Sequence, residues 1–150
     1  MRPKLLCAGA LLACGAWLAG CDESLSTLAG PTPELQPTFS SIQQHVFETA
    51  DSSGRAACTP CHTDQGRTPA GGLNLRHEAA YAALVGVRSG QRSELMRVAA
   101  GDPDNSYMIH KLDGHLQMTG QRMPRTGGPY LTDGQMMIIR RWIERGAPND

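Results

Sequence analysis

Phe39, Ile42, Val46 and Phe47 recur at the three- and four-residue intervals of one helical face. Ser40 and Gln43 have capping-box spacing and Thr38 is an equally good start, while Asp51-Ser52-Ser53-Gly54 marks the stop. A second apolar set, Ala80, Tyr81 and Leu84, predicts a helix from His77 to Val87, closing near Gly86 or Gly90. Asp102-Pro103 has the form of an N-cap followed by proline at the first helical position, opening a short helix through about Leu112 before Gly114. The clearest pattern is the last. Thr132 and Gln135 have capping-box spacing, Met136, Ile139, Trp142 and Ile143 form a continuous apolar face, and Gly146 and Pro148 end it. The stretch from Glu94 to Ala100 carries no assignable pattern, and no two segments have hairpin chemistry. The expected class is all-α: a small domain of about four short helices with long loops around residues 69–72 and 117–130. Loops of that length usually cover something functional.

Ahead of this unit stand Arg2 and Lys4 and an uncharged stretch from Leu5 to Gly20, the n-region and h-region of a secretory leader. Sixteen residues are too few to cross a bilayer. The run ends Leu18-Ala19-Gly20-Cys21, which resembles a bacterial lipobox and implies cleavage before Cys21 and a diacylglycerol on its thiol. The alternative is an ordinary leader with Cys21 left as a free or disulfide-bonded thiol. Asp22 resembles the signal that retains lipoproteins in the inner membrane. Residues 22–37, with Pro31, Pro33 and Pro37 among small polar residues, read as a semi-extended tether reaching at most about 50 Å. The organisation is therefore leader 1–20, lipidated cysteine and tether 21–37, and one globular unit 38–150.

Without the leader, 130 residues carry 12 basic and 14 acidic side chains, so no sequence-wide basic field recruits nucleic acid. Their only aromatics are Phe39, Phe47, Tyr81, Tyr107, Tyr130 and Trp142. A prosthetic group would supply missing apolar bulk. Fourteen glycines and nine prolines in the same 130 residues argue for short elements and many turns.

Cys58-Thr59-Pro60-Cys61-His62 is C-x-x-C-H, the attachment pattern for c-type haem. The two thiols form thioethers with the haem vinyl groups, and the adjacent imidazole is placed to ligate iron from one face. A zinc site needs about four ligands, and His77, His110 and His115 lack the paired spacing of a finger. A thioredoxin-like dithiol needs alternating strands and helices, which this chain does not show.

The order of features, an N-terminal helix, C-x-x-C-H just after it, a Met-bearing loop and a terminal amphipathic helix, resembles a monohaem class I cytochrome c over roughly Thr38 to Pro148. Arg122-Met123-Pro124, Gly127-Gly128-Pro129, Leu131-Thr132-Asp133, Trp142-Ile143-Glu144-Arg145-Gly146-Ala147 and Asp102-Pro103-Asp104-Asn105-Ser106 resemble blocks of a widespread bacterial group of these cytochromes. The resemblance implies one covalent haem c held by Cys58 and Cys61, with His62 and Met123 as axial ligands. Met118, His115 and His110 remain alternatives to Met123. Met96, Met108, Met136 and Met137 read as core filler, and His45 and His77 as surface or capping residues. Trp142 is expected to pack the last helix on the first, near Phe39, Val46 or Phe47. Arg125 and Tyr130, flanking the Gly-Gly turn, read by default as an exposed arginine and a partly buried tyrosine, with a haem propionate as the alternative partner.

Filled axial positions imply electron transfer and no enzymatic activity of this chain alone. The expected protein is a periplasm-facing carrier tethered through Cys21, preferentially at the inner membrane, exchanging electrons with redox partners there. Its rivals are a haem relay subunit of a larger oxidoreductase, and a labile distal side acting on peroxide or a gas.

Overall fold

Five α-helices and one π-helical turn carry the fold among the described residues, 25–150 of a computed structural model. In chain order they are α1 (Leu25–Ala29), α2 (Phe39–Ile42) running directly into π-helical Gln43–Glu48, α3 (Ala80–Leu84), α4 (Tyr107–Asp113) and α5 (Asp133–Glu144). No strand forms among these residues, where pairing is confined to isolated bridges. The leader, Cys21 and Asp22 lie outside the described residues.

Capping chemistry sets the helix starts. Thr38 accepts the N–H of Ser41 and caps α2, so Thr38 takes the place of the Ser40 capping box. The backbone carbonyl and a side-chain oxygen of Asp150 accept the N–H groups of Ser40 and Phe39, satisfying two more free donors of that first turn. At α5 the capping box is complete: Gln135 N–H donates to the Thr132 hydroxyl, and Thr132 N–H donates to the Gln135 side chain.

Two expected helices are shorter than their patterns. The segment predicted from His77 is helical only over Ala80–Leu84, because Val85 turns extended and bridges Val98 in the stretch that carried no pattern. Asp102 does not cap a helix; its carboxylate accepts from Asn105 N–H and the Asn105 amide, which closes a turn and delays α4 to Tyr107.

Ile42, Val46, Leu84, Ile109, Ile138, Ile139, Trp142 and Ile143 are fully covered and join α2, α3, α4 and α5 in one core. Each such side chain contributes about 1.5–3 kcal/mol through burial. Trp142 packs on Phe39 with ring centroids 5.6 Å apart, and its indole N–H donates to the Pro148 carbonyl. Met136 and Met108 pack in or against the core, whereas Met137 is 55% exposed on the outer face of α5 and is not core filler.

The expected free tether over residues 22–37 is docked from Leu25 onward. Ala29, Leu35 and Pro37 are buried, the Thr32 hydroxyl accepts from the Gln135 amide at 2.9 Å, and α1 packs on α5. Gly134 makes this approach possible, since a Cβ there would lie 1.8 Å from the Leu28 carbonyl oxygen. Ala29, Leu35 and Pro37 supply the burial that a solvated linker lacks. No helix among the described residues is long and apolar enough to cross a membrane.

Candidate cofactor site

The end of the first helix builds a seat for the C-x-x-C-H loop. The wider π-helical winding leaves carbonyls of His45, Val46, Phe47 and Thr49 outside the regular helical ladder. Phe47 accepts the N–H groups of Cys58 (2.8 Å) and Thr59 (3.0 Å). Arg55 takes the others: its guanidinium donates to Val46, Ala56, His45 and Thr49 carbonyls, and its Nε lies 3.1 Å from Asp51. Both side chains of this ion pair are covered. A buried charge needs this density of partners. Arg55 stands three residues before Cys58 in a polar turn, where a sequence reading defaults to a solvated side chain; nothing in its spacing distinguishes it.

Within the loop, Cys61 and His62 N–H groups return to the Cys58 carbonyl, Ala70 N–H reaches Cys61, and Leu75 N–H reaches His62. These bonds fold residues 58–75 around the imidazole. The His62 Nδ1 lies 3.3 Å from the Leu73 carbonyl. A carbonyl only accepts, so Nδ1 carries the proton and the Nε2 lone pair is left for a ligand. Burial is the main influence on His62 and lowers its pKa; Arg97 and Lys111 push the same way, against bonds to Leu73 and Ala70. The neutral imidazole is the ligating form.

Cys58 is half-buried and Cys61 exposed, both as free thiols. Burial pushes the Cys58 thiol up to about 11, with Arg55 opposing and Cys61 adding to the rise. A dithiol exchange site works through a lowered thiol pKa, so the direction is opposite to that chemistry.

In the loop before α5, Met123 N–H donates to the Lys111 carbonyl at 2.7 Å, and the Lys111 ammonium donates to the carbonyls of Thr119 and Gln121. Arg122 donates to the Leu112 carbonyl and stacks over the Tyr130 ring at 4.0 Å. Lys111 therefore fastens the Met123 loop to α4 while its charge reaches His62. Met123 packs against the core with part of its side chain exposed, alongside Cys58, Leu73, Tyr81, Val85 and Met108. Met118 does not join that set.

The histidine alternatives sit elsewhere. His110 is buried and donates from Nε2 to the Asp104 carbonyl at 2.7 Å, and its Nδ1 is buried without a partner. His115 is exposed and stacks on it, with centroids 4.4 Å apart. Arg125 binds the Gln121 side chain and Tyr130 lies under Arg122, so each has a protein partner.

Neither a family model, nor a curated protein, nor a solved structure matches the chain. The reading of the site therefore stands on its donor set. Among the described residues no three His, Cys, Asp or Glu side chains converge as a metal-ion site. Surface depressions of about 490 Å³ at Thr59 and Pro60 and about 690 Å³ at Met136 and Met137 include none of Cys58, His62 and Met123. Two thiols just before an imidazole whose Nδ1 is held by the Leu73 carbonyl, and a thioether on a fastened loop, are donor types that fit one covalently attached haem.

Proposed function

We propose that this chain is a membrane-tethered periplasmic one-electron carrier with a single haem c, attached through Cys58 and Cys61 and ligated by His62 and Met123. The observation that carries this reading is the His62 imidazole inside the C-x-x-C-H loop, its Nδ1 against the Leu73 carbonyl, which puts the lone pair of the neutral ring on Nε2. The bound group supplies one-electron redox chemistry, and an axial thioether tends to raise its potential.

The protein's part is orientation and shielding. Leu73 aims the imidazole through its carbonyl, Lys111 holds the Met123 loop, and Leu73 and Met123 both pack against the apolar core. Cys61, on the exposed edge, leaves a short path to a partner. With His62 and Met123 both holding the group, its iron would have no position open to a substrate.

Anchoring at Cys21 belongs to the same proposal. Only residues 22–24 separate Cys21 from docked α1, which at full extension is about 14 Å. Such a tether holds the domain close to the bilayer and favours membrane partners over free diffusion.

The test is the optical spectrum of the purified haem-loaded protein in both redox states, repeated with carbon monoxide on the reduced form. The expected result is a c-type reduced spectrum, a Met-to-iron band when oxidised and no response to carbon monoxide. Ready carbon monoxide binding without the Met band would replace the carrier by an open distal site acting on peroxide or a gas. Mass spectrometry of the mature N-terminus tests acylation of Cys21, and a chain without the lipid mass would remove the anchor.

A further inference from the structure

Leu73, whose carbonyl orients the proximal imidazole, follows two glycines in left-handed conformation, Gly71 at φ 61° and Gly72 at φ 62°. That backbone region is open to glycine at little cost. The paired turns present both glycine carbonyls to one guanidinium: Arg97 Nη2 donates to Gly72 at 3.1 Å and Gly71 at 3.4 Å. Its Nη1 donates to the Ala83 carbonyl in α3 at 2.8 Å. The Arg97 backbone is itself held, its N–H donating to Val87 and its carbonyl accepting from Met108 in α4. The Arg97 side chain thus ties the segment before Leu73 to α3, while its backbone carbonyl is tied to α4.

We infer that Arg97 is a positioning residue for the proximal ligand, holding the Gly71-Gly72 turn so that the Leu73 carbonyl stays on His62 Nδ1. This rests on His62 being the iron ligand, and deepens that reading by assigning control of the imidazole to a residue outside the motif. The carbonyl contact governs how much negative character the imidazole carries, and through it the reduction potential. A planar two-nitrogen fork is needed to serve carbonyls on two sides; a lysine ammonium is a single point.

The experiment uses the full haem-loaded chain as wild type, Arg97→Lys and Arg97→Gln. Solvent exchange of the His62 ring N–H is followed by NMR in the reduced state, together with the reduction potential and thermal unfolding. Both variants are expected to exchange that proton at least about tenfold faster, because both lose the fork. They are also expected to shift the potential. Unchanged exchange in both variants, with a potential change in Arg97→Gln only, would mean that Arg97 acts through its charge, and would overturn the inference. A lowered unfolding temperature with unchanged exchange would overturn it too, leaving a merely structural arginine. Arg97→Lys, which keeps charge and stem, carries the test if Arg97→Gln does not accumulate. A wild-type chain that acquires no c-type spectrum overturns the haem reading and this inference together, whereas a normal spectrum with unchanged exchange overturns this inference alone.

Discussion

The Lys111 carbonyl accepts the Met123 N–H at 2.7 Å, while the ammonium of the same lysine holds the loop at Thr119 and Gln121. Met123 is thereby clamped to α4 and packs on the core, and Met118 stays outside that contact set. Met123→Ala is expected to lose the Met-to-iron band and gain carbon monoxide binding, with Met118→Ala doing neither. The reverse outcome in the two optical spectra would transfer the distal role to Met118.

Arg55 and Asp51 form a covered ion pair whose arginine also satisfies three carbonyls at the end of the first helix and that of Ala56. Arg55→Met strands the carboxylate and those carbonyls, and is expected to cost about 3–5 kcal/mol in urea unfolding. Adding Asp51→Asn should restore part of that loss, since no unpaired charge remains. A single variant within about 0.5 kcal/mol of wild type would show that water replaces the guanidinium without penalty.

Asp51 also predicts an acid limb. Burial would raise its pKa, but bonds from Ser53, the Arg55 backbone and Gln135, with the Arg55 charge, outweigh it and hold the group below its ordinary 3.8. A depressed folded-state pKa means that its stabilisation is complete above 3.8 and disappears as pH falls through the lower folded value. Urea midpoints measured downward from pH 5 should drop below about pH 4, less steeply in Asp51→Asn. Equal slopes in the two proteins would contradict this assignment.

Gly134 lets α1 lie against α5 through the close approach of Leu28. Alanine gains about 1 kcal/mol of helix propensity, but the displaced backbone is expected to cost about 1–3 kcal/mol and to prevail. Limited proteolysis within residues 25–37 of Gly134→Ala should accelerate. If cleavage is unchanged and stability rises, the docked arrangement is wrong.

The helix start at Thr132, the packing of Trp142 on the first helix and the C-x-x-C-H motif are legible in the sequence, because each depends on residues close in the chain or on a strong apolar period, whereas the choice of Thr38 over Ser40 and of Phe39 as the Trp142 partner is the structure's. The early end of α3 at Leu84 and the late start of α4 at Tyr107 are not legible there. They follow from bridging between Val85 and Val98 and from the Asp102–Asn105 turn, where local bonds compete with helical ones. The docking of residues 25–37 was also hidden, since a proline-rich segment is compatible with either solvent or a partner surface.

By itself, the sequence determined the chemistry available: two thiols, an imidazole beside the second, and a thioether before the last helix. Tertiary structure alone decided how those groups are held. Arg55, Arg97 and Lys111 bond carbonyls up to 26 residues away, as Arg97 does at Gly71. A guanidinium or ammonium has the same local sequence signature whether it is solvated or bonded to distant backbone. Only closure of the chain brings the free carbonyls to it, and with them the orientation of His62 and the fastening of Met123.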